Sequence, residues 1–332
     1  MDLAVSSPPL SESSRLDLLE RHGSFALAYS VAFQPGLSHF GDSRGFLSYR
    51  MVGGTAFVLA DPLADPADRG TLIDSFIAEK GDVTFWQVSR EMAELLDSRG
   101  FAVNALGVES IVDLPAFGFG GPRRRSFRTA ANRMARNGHK VVERPPEEFD
   151  AAEIAAISQS WRRTRTTGRH EMGFLVRPAV LRHEAGVRKF FLVDRDERPL
   201  GFAFFDPIHE NGRLIGYLSA TRRWPPGGDP LTAYALVGHA LETFKREGLS
   251  EFHLGLIPFH RIKDDEFDRD WLTRRAFRLV YENPLLNRMI YPAKSLARHK
   301  ESYDGRLRQT YCAQKPGFSL LRLLKLIRAC RV

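Results

Sequence analysis

Residues 190–255 decide the fold of this chain of 332 residues, and they read FFLVDRDERPLGFAFFDPIHENGRLIGYLSATRRWPPGGDPLTAYALVGHALETFKREGLSEFHLG. Two apolar runs at 190–194 and 200–206 flank a polar turn, which predicts a pair of antiparallel strands. A β-type run follows at 213–220, then a helical pattern at 231–247 that ends before Gly248, then a β-type run at 251–255. This β-β-β-α-β order predicts an α/β unit in which helices flank a sheet.

The first half of the chain shows the same alternation of elements. Strands are predicted at 45–51, 55–60, 84–88 and 110–114, and helices from about 13, at 69–80, 90–99 and 125–136. A helix at 151–163 opens the second half. The element order therefore predicts a duplicated α/β (α+β) fold, in which each repeat is a mixed sheet flanked by helices.

Changes of composition divide the chain into four segments. Residues 1–22 are predicted to be a flexible leader and a first helix, and residues 316–332 a basic amphipathic tail helix. The two repeats are assigned to 23–144 and 145–315, because the stretch Pro-Pro-Glu-Glu at 145–148 is typical of a linker.

Composition excludes several classes of protein. With 43% hydrophobic residues the chain can bury a core in each of two domains, which excludes a disordered tail protein. Its apolar runs fall short of the roughly 20 residues that a membrane-spanning helix needs, and its N-terminus lacks the features of a secretory signal. The two cysteines, Cys312 and Cys330, form no CxxC pair. We therefore predict a cytoplasmic location without a disulfide framework or zinc ribbon.

Motifs for metal, nucleotide and serine-hydrolase chemistry are missing from the sequence. The ten histidines are scattered and form neither HExxH nor HxH. A GxSxG elbow, a Walker loop and a GxGxxG fingerprint are also lacking. The sequence therefore predicts no metal site and shows none of these nucleotide-binding motifs.

The positive charge is concentrated in two segments. The chain holds 48 lysines and arginines against 40 acids, a net charge of +8. Residues 122–140 hold seven lysines and arginines and no acid, and residues 294–332 hold ten against two acids. Such patches favour a phosphate-bearing partner, although a solvated charged face has the same pattern.

The first basic segment has helical spacing. Arg128, Asn132 and Arg136 recur every four residues and share one face, which suits contact with a polyanion. Phe127, Ala131 and Met134 are predicted to turn to the core. Ordinary surface arginines are the alternative.

A glycine-rich loop at 222–228 (RRWPPGG) separates a predicted strand from a predicted helix. Free N–H groups and the helix dipole at such a junction favour a phosphate. A Pro-Gly turn that binds no ligand has the same sequence, so the motif is weak.

The tail also carries cations at helical spacing. In SLLRLLKLIRACR (319–331), apolar and basic residues are predicted on opposite faces: Leu320, Leu323, Leu324 and Ile327 against Arg322, Lys325 and Arg331. This helix suits either a membrane surface or the protein's own core.

Several short motifs, in order along the chain, together resemble one family. They are Gly53-Gly54, Asp61-Pro62, Gln87-Val88, Gly107 with Glu109, 127–138, Glu171-x-Gly173-Phe174, 202–207, Arg222-Arg223 with Pro225, 252–258, and YPAKSLARHKESY at 291–303 followed by Tyr311. In this order they resemble the cytosolic C-terminal domain of phosphatidylglycerol lysyltransferases and alanyltransferases, the multiple peptide resistance factor family. The resemblance covers roughly residues 35–315.

The resemblance implies tandem acetyltransferase-like (GNAT-like) repeats with a channel between them. It implies transfer of an aminoacyl group from a charged tRNA, the donor, to a hydroxyl of phosphatidylglycerol or a related anionic lipid. Because an aminoacyl ester is already activated, alignment of the reactants is the main task, and no cofactor is implied. A peripheral position on the inner face of the cell membrane is also implied.

Residue roles follow from the aligned motifs. Glu171 is expected to orient the donor's amine or assist proton transfer, although a salt bridge explains it equally well. Arg222 is expected to stabilise the oxyanion or hold a lipid phosphate, beside Arg223, and Lys300 with Arg298 to seat phosphate. Arg128, Asn132 and Arg136 are expected to line the anion-binding face, while Asp61 is expected to fix a turn.

One departure from the family pattern concerns the donor. The lipid-modifying members carry an Asp three residues before the position of Arg222, and this chain has Ser219 there. The carboxylate that would hold the donor's amino group is thus missing, which leaves the amino acid and the use of aminoacyl-tRNA open.

Two alternatives remain open from the sequence. The first is an acyltransferase of the same fold that uses acyl-CoA or an acyl carrier protein, although the loop at 223–228 is one residue out of register for a pyrophosphate loop. The second is a non-catalytic protein that binds nucleic acid or anionic membrane.

Overall fold

The computed structural model describes residues 10–164, 171, 173–262, 267, 270–289, 292–315 and 319–330. Its helices are α1 (Glu12–His22), α2 (Ala28–Phe33), α3 (Pro66–Lys80), α4 (Arg90–Asp97), α5 (Arg125–Asn137), α6 (Ala151–Arg163), α7 (Thr232–Arg246), α8 (Trp271–Glu282), α9 (Pro284–Met289), α10 (Ala293–Glu301) and α11 (Leu320–Ala329). Its strands are β1 (Ser38–Asp42), β2 (Gly45–Val52), β3 (Thr55–Ala64), β4 (Val83–Val88), β5 (Ala102–Asp113), β6 (Lys140–Glu143), β7 (Arg188–Val193), β8 (Pro199–Glu210), β9 (Arg213–Arg223), β10 (Glu251–Pro258) and β11 (Arg306–Gln314).

The described strands form one mixed sheet in the order β1-β2-β3-β4-β11-β5-β10-β9-β8-β7-β6. Two neighbouring pairs, β3 with β4 and β9 with β10, are parallel, and each pair is joined through a helix, α3 or α7. The run β7-β8-β9-α7-β10 has the predicted β-β-β-α-β order, and β1-β2-β3-α3-β4 repeats it. The predicted α/β architecture, a mixed sheet flanked by helices, is confirmed.

The two halves exchange a strand at the centre of the sheet. β11, late in the chain, pairs with β4 on one side and β5 on the other. β5, from the first half, pairs in turn with β10. The sheet is therefore continuous across the predicted boundary at 144/145, and β6, which precedes that boundary, pairs with β7 beyond it. The division into four segments stays a prediction.

Helices cover both faces of the sheet because apolar side chains alternate along the strands. In the second half, α7 packs on Phe190 and Phe205, whereas α6 packs on Phe191 and Phe204 of the opposite face. In the first half, α3 and α4 cover one face, and α1, α2 and α11 cover the other. Side chains on opposite faces of the same strand therefore contact different helices. This separation decides which residues can meet in one site.

Local signals account for several helix ends. Asp65 accepts a hydrogen bond from Ala67 N at the start of α3, where Pro66 is the first helical residue. Asp150 caps α6 in the same way. Gly138 follows Asn137 at the end of α5 and adopts the left-handed conformation that commonly ends a helix.

The structure corrects one residue of the predicted core face of α5. Phe127 and Met134 are buried as expected, but Ala131 is exposed and Ala130 is buried instead. Positions 127, 130 and 134 follow the i, i+3, i+7 spacing of one helix face, and 131 lies beside it.

Candidate functional site

The centre of the second half holds a gap between two parallel strands. β9 and β10 pair over only three residue pairs, which end at Leu218 and His253. β9 then continues to Arg223 along β8, while β10 stays paired with β5 from Glu251 to Pro258, with a shift of register between His253 and Gly255. A Cβ atom on Gly255 would lie 3.8 Å from Nζ of Lys300. The amine of Lys300 therefore lies beside β10 at the point where the strands part.

Lys300 projects from α10 and is buried. Its Nζ donates a hydrogen bond to Leu256 O at 2.8 Å. Burial lowers the pKa of Lys300 to about 7, and the positive charge of Arg222 lowers it further, whereas Glu109 opposes the shift. The amine therefore changes charge close to neutral pH, which suits proton transfer.

The neighbouring residue, His299, is fixed by Arg222. Nη1 of Arg222 donates to Nε2 of His299 at 2.8 Å, and Nδ1 of His299 lies 3.3 Å from the Tyr234 hydroxyl. Burial, together with the charges of Arg222 and Lys300, lowers the pKa of His299 to about 3. His299 is thus a neutral acceptor that holds the guanidinium in one orientation.

An aromatic frame surrounds this pair. The ring of Phe127, on the inner face of α5, packs edge-to-face on Tyr234 and Tyr303, with centroids 5.1 and 5.2 Å apart. His299 lies against both tyrosines at 5.3 Å. The two tyrosines therefore connect α5 to His299 and its neighbours. The Arg222–Lys300 site is the name used below for five residues: Arg222, His299, Lys300, Tyr234 and Tyr303.

An ion pair lies on the strands exchanged between the halves. Glu109 of β5 is buried and accepts from Arg308 of β11 at 2.9 Å. Both residues line a small cavity of about 40 Å³, together with Asp61 and Gln87 of the first half. Asp61 lies within β3 and not in the expected turn: it accepts from Ser89 N, at the start of α4, at 2.9 Å, and burial raises the pKa of its carboxyl.

Ser219, which stands where the family has Asp, lies on β9 three residues before Arg222. Its Oγ is buried and has no hydrogen-bond partner among the residues described here. The carboxylate whose charge acts on the pKa of Lys300 is that of Glu109, which lies on β5 and not on β9.

Glu171 and Arg223 form a separate cluster. Arg223 is buried and donates to both carboxylate oxygens of Glu171 and to Ser158 Oγ on α6. Arg162 lies 3.5 Å from Glu171. Adjacent residues of a strand point to opposite faces, so Arg223 lies on the α6 face and Arg222 on the α7 face. The structure does not bring Glu171 together with Arg222 and Lys300, and its contacts are those of a salt bridge.

The predicted anion-binding face of α5 is exposed. Arg128 donates to the carbonyl oxygens of Phe119 and Gly121 at 2.5 and 2.8 Å, which ties down the preceding loop. Asn132 and Arg136 are exposed on the same helix, and Arg298 is exposed on α10. Part of the cationic stretch around 162–169 lies outside the described residues.

The glycine-rich loop leads to a helix end that an acid already occupies. Asp229 accepts a hydrogen bond from Leu231 N at 2.9 Å and pairs with Arg133 at 3.3 Å. A carboxylate at the start of α7 repels a phosphate, so the geometry opposes a pyrophosphate site there. Within the described ranges, no group of three or more His, Cys, Asp or Glu side chains is arranged to hold a metal ion.

Sequence reasoning missed His299 and Tyr234 as members of the Arg222–Lys300 site, and Arg308 as the partner of Glu109. His299 and Tyr303 lie inside the motif at 291–303, so that motif was the available signal. Arg308 carries no local signal, because the pairing of β11 with β5 brings it to Glu109.

Comparison with known proteins gives a consistent result. A family model described as "Phosphatidylglycerol lysyltransferase, C-terminal" matches residues 16–314. A phosphatidylglycerol lysyltransferase of Staphylococcus epidermidis is 23% identical over 322 residues, which is 95% of this chain and 37% of that protein. The chain thus spans little more than a third of the length of that relative.

Two solved structures share the fold. The structure of L-PGS from Bacillus licheniformis superposes with a TM-score of 0.79 at 21% identity, over 99% of this chain and 98% of the other. The C-terminal domain of a putative lysylphosphatidylglycerol synthetase from Agrobacterium fabrum gives a TM-score of 0.74 at 18% identity, over 97% and 98%. At such identities the likeness concerns the fold.

Proposed function

The chain belongs to the phosphatidylglycerol lysyltransferase C-terminal family, and on that basis we propose that it is an aminoacyltransferase. The donor is an aminoacyl-tRNA, and the acceptor is a hydroxyl of phosphatidylglycerol or a related anionic lipid. The observation that carries this proposal is the buried amine of Lys300, whose pKa is about 7, beside a guanidinium held by a neutral histidine.

The transfer needs one proton to move twice. The lipid hydroxyl oxygen attacks the carbonyl carbon of the aminoacyl ester, and neutral Lys300 accepts the hydroxyl proton. The bond from that carbon to the ribose oxygen of the tRNA then breaks, and the ribose oxygen takes the proton back from the Lys300 ammonium. Arg222 is suited to the negative charge of the tetrahedral intermediate or of the lipid phosphate.

The donor is proposed to lie along α5. This helix carries four arginines and no acid, and Asn132 and Arg136 are exposed on it. Phosphate contacts of this kind bind a polynucleotide without reading its sequence. Because Phe127 of the same helix packs on Tyr234 and Tyr303, a donor on α5 would lie close to the Arg222–Lys300 site.

The acceptor implies work at a membrane, so we place the chain on the inner face of the cell membrane. No helix within the described ranges is long and apolar enough to cross a bilayer. The acyl-CoA alternative is disfavoured, because Asp229 occupies the helix end where a pyrophosphate would bind.

The test is lipid mass spectrometry of cells that express this chain. Wild type is expected to produce a new aminoacyl lipid that Lys300→Met abolishes. Lys80→Met is the matched control, because Lys80 lies at the end of α3, outside both basic segments, and pairs with Glu79 at 2.7 Å. Purified protein with charged tRNA and phosphatidylglycerol vesicles should give the same product, and ribonuclease should prevent it. A product that survives ribonuclease, or no product in either system, would contradict the proposal.

A further inference from the structure

The tail helix α11 is oriented opposite to the usual amphipathic helix of a protein surface. Two of its three cations face the protein: Lys325 Nζ donates to Thr55 Oγ1 at 2.8 Å, and Arg322 lies 3.4 Å from the Asp82 carboxylate. Leu326 and Ala329 are buried against the core formed with α1 and α2. This face packs on the protein.

The other face of α11 is apolar and exposed. Leu321 and Leu324 are 62% and 63% exposed, and Leu323 and Ile327 are 40% and 43% exposed. A surface helix normally turns such residues inward and its charges outward. Four large apolar side chains left outside on one short helix therefore mark an interaction surface.

A second helix adds to this surface. Trp271 and Leu272, at the start of α8, are also exposed. Gln314 at the end of β11 donates to Thr273 of α8 at 3.2 Å, and the next residue, Lys315, accepts from Arg322 of α11 at 2.9 Å. The starts of α8 and α11 therefore lie at the same end of β11. Their exposed apolar residues and the cations among them are named the α8–α11 face.

The exposed charges of this face are positive, whereas Arg322 and Lys325 face the protein. Residues 315–330 contain four lysines and arginines and no acid, and α8 contains three arginines and one glutamate. Lys315, Arg275 and Arg328 are exposed. Leucines, a tryptophan and cations on one surface are the composition of segments that lie in the headgroup region of an anionic bilayer.

We propose that the α8–α11 face docks this chain on an anionic lipid bilayer, with the leucines in the boundary between headgroups and acyl chains. A helix of ten residues is about 15 Å long and lies in the plane of the surface. A second copy of this chain is a poor partner for the α8–α11 face, because pairing two such faces would bring like charges together. The inference rests on the proposed function only in that a lipid acceptor explains why the chain works at a bilayer.

The experiment is vesicle co-sedimentation without any donor. Wild type is expected to bind vesicles of phosphatidylcholine with phosphatidylglycerol, and to bind pure phosphatidylcholine more weakly. Leu321→Glu with Leu324→Glu should weaken binding about tenfold or more, because two exposed apolar contacts become acids. The control is Ala152→Glu with Ala156→Glu, two exposed positions of α6, which adds the same charge away from the face. Thermal unfolding of both variants checks that they fold.

Three outcomes would overturn the inference: no binding by wild type, equal binding by the leucine variant, or a wild-type dimer that the leucine variant dissolves. Failure of the proposed function is distinguishable from these outcomes. Vesicle binding without transfer activity would support the docking surface and contradict the proposed aminoacyltransferase activity. Transfer to detergent-dispersed phosphatidylglycerol should persist in the leucine variant, since that acceptor needs no bilayer.

Discussion

Arg222 donates a hydrogen bond to Nε2 of His299 at 2.8 Å. A guanidinium has no acceptor, so Nε2 must accept, and the ring proton lies on Nδ1, directed at the Tyr234 hydroxyl. The lowered pKa of His299, about 3, agrees with a neutral ring. His299 therefore keeps its charge state across physiological pH, and the titrating group of the site is Lys300.

The transfer rate should rise with pH through about 7, where Lys300 loses its proton. Neutral Lys300 is the form that accepts the hydroxyl proton, so the rate follows its fraction. Initial rates between pH 5.5 and 8.5, corrected for spontaneous ester hydrolysis, give the profile. A rate that falls through the same window would show that the ammonium form is needed, as expected for a phosphate seat.

Replacing Arg222 by Gln should move that rising limb to higher pH. Arg222 lowers the pKa of Lys300 by its charge, so its removal raises this pKa. The maximal rate should also fall, by about a hundredfold if Arg222 stabilises the oxyanion. Arg246→Gln, at the exposed end of α7, removes the same charge at a distance and should shift neither quantity. If the rising limb of the pH–rate profile does not move in Arg222→Gln, a group other than Lys300 controls the rate.

Lys300→Met should stabilise the protein at neutral pH, and the advantage should shrink as the pH rises. The pKa of Lys300 is about 7 when folded and near 10.5 when unfolded, so between these values the unfolded chain binds the extra proton. Wild-type stability then increases relative to the variant by at most about 1.4 kcal/mol per pH unit. Below pH 7 the difference is constant. Urea unfolding at pH 6, 8 and 10 measures it, and a difference independent of pH would contradict the lowered pKa.

Much of the fold was predictable because its signals are local. The run β7-β8-β9-α7-β10 follows from apolar runs, turns and one helical pattern, and α6 has the predicted bounds. β11 was not predicted, because RLRQTYCAQ is polar in its first half, and its place between β4 and β5 depends on pairing across the chain. Also unpredicted were β1, β6, α2 and α8 to α10.

The site was predictable only in part. Arg222 and Lys300 were named, and the charge of Arg222 contributes to the lowered pKa values of Lys300 and His299. Glu171 was grouped with them from its place in the sequence, but the alternation of side chains along β9 separates positions 222 and 223. Arg322 and Lys325 of α11 were expected to oppose an apolar face, and they do, but they face inward; Arg331, named with them, lies outside the described residues. Sequence periodicity gives the two faces of a helix and not which one docks.

Glu171→Gln should reduce stability more than it reduces the catalytic rate of the folded protein. The carboxylate pairs with the buried guanidinium of Arg223, and its loss leaves that charge under-compensated, which costs about 1–3 kcal/mol. Adding Arg223→Met to Glu171→Gln should recover part of the loss. Urea unfolding with rates normalised to folded protein separates the effects. A large fall in rate at unchanged stability would instead support the predicted catalytic role of Glu171.

Fragments 1–144 and 145–332 should fold together and not alone. In the first fragment, β4 and β5 lose β11 from between them, and β5 also loses β10, so buried strand edges become exposed. Each fragment alone should lack a cooperative thermal transition, whereas co-expression should yield a 1:1 complex with one. Alanine at Tyr311, a buried residue of β11, should weaken that complex, while alanine at the exposed Arg306 of the same strand should change it much less. A second fragment that folds cooperatively alone would show that it is stable without β5, and would favour the boundary at 144/145 as a true division between domains.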